Sequence, residues 1–181
     1  NLIPNGERIM LIAVDGYNFI KQSPELRKFE QIELQKAREG LLEQLRRYQR
    51  LKRHSFIVVF DGRQEGRLAE HRERSGGIVV IFSKPGEKAD EVLKRLAAEK
   101  REGITVVTSD RDVASFAEKK GATAVSVSDW AEKMEMAQFY NLKGGQEEPM
   151  APMRSVAPTK KGPTHRLPKA KRKAAATFRK L

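Results

Sequence analysis

Five aspartates carry the chemistry that this sequence can offer. Asp15 follows the apolar run Ile9 to Val14, Asp61 follows Phe56 to Phe60, and Asp110 and Asp112 follow Ile104 to Thr108. Asp90 opens an amphipathic stretch beyond the break at Ser83-Lys84-Pro85-Gly86. Carboxylates held within a few ångströms of one another repel, and some of their pKa values rise unless a cation neutralises them. A cluster of oxygen donors of this kind suits Mg²⁺ or Mn²⁺, which leave room for water and a substrate phosphate. One or two such ions activate water and offset the charge of a phosphodiester under attack. The plainer alternative for Asp15 or Asp61, taken singly, is a turn residue or helix N-cap, and Asp110 is placed to cap the helix beside it.

The elements that must bring these residues together are legible as short apolar runs alternating with helical patterns. Ile9 to Val14 is too short for a buried helix and reads as a strand covered on both faces. Further strands are expected at Ser55 to Phe60, Gly77 to Phe82, Ile104 to Thr108 and Thr123 to Val127. Between them, Leu34, Ala37, Leu41, Leu45 and Tyr48 recur at helical spacing, as do Ala89, Val92, Leu93, Leu96 and Ala97. A helix is expected over Arg111 to Lys120, closed by Gly121, and another runs to about Tyr140 with Ser128 and Asp129 as its cap. Asp61 to Gly76 is polar and is expected to be a loop with a short exposed helix. The fold class is therefore α/β, with a central parallel sheet of four to five strands and helices on both faces. Ligands of such sheets sit outside the carboxyl ends of the strands, where the aspartates are.

Charge divides the chain in two. Residues 141–181 carry 11 Lys/Arg against two Glu, whereas the preceding residues hold 25 basic and 22 acidic side chains. A folded domain over 10–140 and a basic, disordered tail over 141–181 are expected, the tail having almost nothing to bury. Its polyanionic partner is expected to be nucleic acid rather than membrane, since no amphipathic apolar face accompanies the charge. With no cysteine there is no thiolate nucleophile and no Cys-type zinc site. The longest apolar run is too short to span a bilayer, no signal peptide is evident, and a cytoplasmic location is the expectation. Neither G-x-G-x-x-G after the first strand nor G-x-x-x-x-G-K-[ST] occurs, which argues against dinucleotide and P-loop nucleotide binding.

Around the acids, Asn18 is placed to orient a water or ligand or simply to hold the turn. Arg63, Lys84 and Lys88 flank the expected pocket and can hold phosphates, and Arg111 lies between two acids. His54 and His71 lack partners at metal-ligand spacing and are expected at the surface. Phe116, Trp130 and Phe139 fall at helical core positions.

Val14-Asp15-Gly16-Tyr17-Asn18, Val59-Phe60-Asp61-Gly62, Lys88-Ala89-Asp90-Glu91 and Val107-Thr108-Ser109-Asp110-Arg111-Asp112, in that order, resemble the YacP-like branch of the NYN domains, part of the PIN-like nuclease group. The resemblance spans about Met10 to Tyr140. It implies a three-layer PIN-like fold and a metal-dependent endoribonuclease using Mg²⁺ or Mn²⁺. It further implies Asp15, Asp90, Asp110 and Asp112 as the catalytic, metal-binding acids, Asn18 and Ser109 in support, and Asp61 as a less central member. Single-stranded RNA is the expected substrate, with Arg63, Lys84, Lys88 and Arg111 as contacts. The tail, rich in Lys, Arg, Pro and Ala, resembles extensions of ribosome-bound proteins, which makes the ribosome a candidate partner. Two alternatives stand beside the nuclease. One is a catalytically silent RNA- or ribosome-binding protein of the same fold. The other is a haloacid-dehalogenase-type phosphohydrolase, although that class requires Asp-x-Asp after the first strand, where this chain has Asp15-Gly16-Tyr17-Asn18.

Overall fold

A computed structural model describes residues 9–30, 32–62 and 69–142. Arg63 and residues 143–181 of the expected disordered tail 141–181 lie outside the described residues, whereas residues 141 and 142 are helical. The apolar runs form β1 (Leu11–Asp15), β2 (Ser55–Phe60), β4 (Ile78–Phe82), β5 (Ile104–Val107) and β6 (Thr123–Val125), with β3 (His71–Ser75) added at one edge. The sheet order is β3-β4-β2-β1-β5-β6. All neighbours pair in parallel except β3 and β4. Among the described residues the α-helices are α1 (Gly16–Gln22), α2 (Pro24–Glu30) and α3 (Leu34–Lys52) between β1 and β2, α4 (Ala89–Lys100) before β5, α5 (Arg111–Lys119) before β6, and α6 (Val127–Leu142) after it.

Alternation along β1 divides its side chains between two hydrophobic layers. Ile12 and Val14 pack with residues of α1, α2, α3 and α6, whereas Ala13 packs with α4 and α5. Trp130 anchors the first layer, fully buried and edge-on to Tyr48 and Phe56 at centroid distances of 5.2 and 6.0 Å. From β1 the chain first travels toward β2 and β4, then returns across the sheet to β5 and β6. The strand order thus reverses between β1 and β5, which opens a crevice at their carboxyl ends. Asp15 ends one of these strands, and Thr108 to Asp110 follow the other.

Four local expectations are corrected. The polar segment before Gly76 contains β3, which pairs antiparallel with β4 through a two-residue connection at Gly76 (φ 58°) and Gly77 (φ 88°). Positive φ at both positions is what a tight hairpin turn demands, and glycine supplies it without steric cost. The strand is polar because it is an exposed edge, where charge discourages pairing with another sheet. His54 is buried, only 1% exposed, because the α3–β2 connection folds under Tyr48; its Nδ1 accepts from the Met10 N–H at 3.4 Å. Helix α6 is capped by Ser126, whose hydroxyl accepts from the Asp129 N–H at 3.1 Å, and not by Ser128 or Asp129. Trp130 is core, but Phe116 is half-buried and Phe139 is exposed near the end of α6. Among the described residues, no helix is long and apolar enough to cross a membrane.

Candidate active site at the carboxyl edge of the sheet

The first carboxylate is placed by two elements at once. Asp15 ends β1 and caps α1, its Oδ1 accepting from the Asn18 N–H at 3.1 Å. Its Oδ2 accepts from the Thr108 hydroxyl at 3.4 Å, which ties β1 to the residue following β5. The same hydroxyl accepts from the Asp110 N–H at 3.1 Å. Asp110 in turn caps α5, its Oδ1 accepting from the N–H groups of Asp112 and Val113 at 2.8 and 3.1 Å. Both aspartates therefore have the helix-capping role that the plainer reading gave them, and Thr108 joins the two caps.

A cavity of about 270 Å³ opens beside Asp15, its lining including the acidic residues Asp15, Glu30, Asp61 and Asp90 and the basic residues Lys21 and Lys88. Asp61 is set at its wall by a close approach of backbones. The Gly62 N–H donates to the Ser83 hydroxyl at 3.1 Å, and a Cβ at Gly62 would fall 2.0 Å from the Ser83 carbonyl oxygen. The Ser83 hydroxyl donates onward to the Glu87 carbonyl at 2.7 Å. The Glu87 carboxylate is buried and pairs with Arg95, which also pairs with Glu70. This network holds the turn that delivers Lys88 and Asp90 to the cavity.

Electrostatics couples the acids. Burial pushes the Asp15 carboxyl up to about 6, and the charges of Asp90 and Asp110 add to the rise. The hydrogen bonds from Asn18 and Thr108 act in the opposite direction. Asp90 is also raised, first by desolvation and then by Asp110, while Lys88 and Lys94 oppose the shift. Asp112 behaves differently: its side chain is 83% exposed and bound to Lys94, whose hydrogen bond lowers its pKa. Among the described residues, no three Asp, Glu or His side chains stand together as a ready-made set of metal ligands.

A family model for the YacP-like NYN domain matches residues 12–179. The chain belongs to the YacP-like NYN domain family. The match extends past Tyr140 into the basic C-terminal stretch. A curated relative, the uncharacterized protein YacP of Bacillus subtilis (strain 168), is 34% identical over 87 residues, which are 48% of this chain. The chain spans about half the length of that relative, 51%. Two crystal structures of Rae1 (YacP) from Bacillus subtilis share the architecture. A single-residue mutant superposes with a TM-score of 0.64 at 27% identity, covering 75% of this chain and 80% of that one. The other gives 0.61 at 28%, covering 75% and 79%.

Within this NYN domain, Asp15, Asp61, Asp90, Asn18 and Lys88 line one cavity, and Asp110 reaches Asp15 and Asp90 through its charge. Ser109 stands beside Asn18, its N–H donating to Asn18 Oδ1 at 3.3 Å. Lys84 and Arg111 are exposed and are not among the cavity-lining residues. Tyr17, Lys21, Glu30 and Thr108 also belong to the site; Tyr17 and Thr108 lie within the motifs of Asp15 and Asp110, whereas Lys21 and Glu30 lie outside any motif. Lys21 lies at helical spacing from Asn18, which was a usable signal. Glu30 comes from the end of a separate helix, and nothing local announces it.

Proposed function

We propose that this YacP-like NYN domain protein is a metal-dependent endoribonuclease that hydrolyses phosphodiester bonds, preferring single-stranded RNA. One observation carries the reading: a buried carboxylate at the end of the central strand shares its field with two further acids beside a cavity that also presents lysines. The donor set fits a hard cation. It consists of oxygens, and the burial that chiefly raises Asp15 and Asp90, with the like charges that add to the rise, is what a positive ion offsets. Asp15, Asp90 and Asp110 would hold Mg²⁺ or Mn²⁺, whereas Asp112, exposed and paired with Lys94, is not among the cavity-lining residues. Such an ion, when bound, supplies charge neutralisation and an activated water.

The chain's own residues do the rest. Lys21 and Lys88, which line the cavity, bind phosphate oxygens and offset the repulsion between its acids and an approaching polyanion. Thr108 orients Asp15 through its hydroxyl, and the capped N-termini of α1 and α5 hold Asp15 and Asp110 in fixed positions. The basic stretch 143–181 adds salt-sensitive affinity for RNA or for a ribosomal surface in the cytoplasm. mRNA or rRNA is the substrate class.

Cleavage of structured and unstructured RNA in Mg²⁺ or Mn²⁺ tests the proposal. The native chain is expected to cut unpaired segments, and Asp15→Asn and Asp110→Asn each to lose on the order of a hundredfold in rate. Undiminished activity in both variants refutes the assignment. The lack of a ready-made three-ligand group among the described residues favours one rival, an RNA- or ribosome-binding protein without activity. RNA affinity that persists in chelator, with no product at any metal concentration, decides for that rival.

A further inference from the structure

Two backbone amides, those of Ser109 and Val127, dictate the polarity of three side chains. The Ser109 N–H, which can only donate, points at the Asn18 side chain at 3.3 Å, so the atom facing it is the amide oxygen. Gln22, one helical turn later on α1, faces the same oxygen and must present its Nε2. Its Oε1 is then left to accept, and the Ser109 hydroxyl donates to it at 2.9 Å. That hydroxyl has its proton to give because its oxygen accepts from the Val127 N–H at 3.2 Å. The ring closes with one consistent set of donors and acceptors, fixed at both ends by main-chain groups.

Asn18 also lines the cavity. Both lone pairs of its oxygen are engaged, by the Ser109 N–H and by Gln22. What remains for a ligand is Nδ2, a donor of two hydrogens. We infer that Asn18 serves the site as a hydrogen-bond donor to an acceptor oxygen of the RNA backbone, a non-bridging phosphate oxygen or a ribose oxygen, and not as a ligand to a cation. Gln22 is the positioning residue that locks this orientation. The inference rests on the nuclease reading for its substrate, and it adds that the α1 wall beside Asp15 recognises substrate oxygens through an amide of fixed direction.

The test combines two substitutions with two readouts. Asn18→Asp preserves an oxygen for Ser109 and Gln22 but replaces the donor by a second acceptor. It is expected to lower kcat/KM for a single-stranded oligoribonucleotide on the order of a hundredfold, with no tightening of Mn²⁺ binding. Gln22→Glu removes the donor to Asn18 Oδ1. It is expected to lower kcat while leaving the melting temperature unchanged, and to shift the Asn18 side-chain amide pair in a ¹⁵N–¹H spectrum. In the native chain, that pair is expected to shift when the oligoribonucleotide is added in chelator, and in Gln22→Glu to respond no longer. Retained activity or tighter Mn²⁺ binding in Asn18→Asp overturns the inference, as does an amide pair indifferent to Gln22→Glu. Should the native chain cleave no RNA at all, the nuclease reading falls by that result alone. The spectrum in chelator still decides whether Asn18 meets RNA.

Discussion

Replacing Asp15 with asparagine is expected to make the protein more stable as it makes it inactive. The carboxyl is held at about 6 in the fold against 3.8 for a solvated aspartate, chiefly by burial. Below about pH 4 both folded and unfolded chains keep this proton, and the residue contributes no pH dependence. Between about pH 4 and pH 6 the unfolded chain releases it while the folded chain retains it, so stability falls as pH rises. Above pH 6 both forms are ionised and the penalty is constant. Two units at 1.36 kcal/mol each make it about 3 kcal/mol. Asparagine keeps the shape and the oxygen that accepts from Asn18, but its amide must donate toward the Thr108 hydroxyl. That rearrangement costs about 1 kcal/mol, which leaves a net gain of about 2 kcal/mol at pH 8. For a chain of this size the gain amounts to roughly 4–8 °C in melting temperature. Urea unfolding of both proteins in chelator at pH 4, 5, 6, 7 and 8 measures it. The difference should open between pH 4 and 6 and stay level above, and Mn²⁺ should narrow it by stabilising only the native protein. An Asp15→Asn protein that is less stable at pH 8, or a difference that ignores pH, refutes the reasoning.

Further expectations follow from the same contacts. Thr108→Val removes a donor to Asp15 and an acceptor for the Asp110 N–H. Denaturant titration should show a loss of about 1–3 kcal/mol, and the acid limb of the cleavage profile should move to higher pH. Mn²⁺ affinity, followed by calorimetry, should strengthen as pH rises through about 6, because protons and cations compete for Asp15. Trp130→Ala should cost about 3–5 kcal/mol in chemical unfolding, since the indole fills the centre of one layer. Gly62→Ala should lower melting temperature and activity together, because its methyl group meets the Ser83 carbonyl and displaces Asp61.

What the sequence disclosed, and what it hid, follows from how far each signal reaches along the chain. Strands buried on both faces write themselves as unbroken apolar runs, so the five parallel strands were readable, and so were the aspartates at their ends. β3 was not, because an edge strand of His71, Arg72, Glu73, Arg74 and Ser75 has no apolar face to show. Its only trace was the Gly76-Gly77 pair. His54 hid for the opposite reason: its burial is decided by α3 folding over it, not by its neighbours in sequence. The site shows the same division. Asp15 and Asn18 are one motif, whereas the bond from Thr108 to Asp15 joins residues 93 positions apart. Glu30 and Lys21 enter the cavity only because α1 and α2 pack where they do.

Asp15, at the cavity, and Asp110, which acts on it through charge, also start α1 and α5. An ancestor losing its chemistry could not therefore trade these residues freely. Alanine would unfasten a helix, whereas asparagine or serine would retire the reaction and keep the fastening. Descendants that have given up catalysis should carry short polar residues at these two positions as a fossil, long after the lysines around them have drifted.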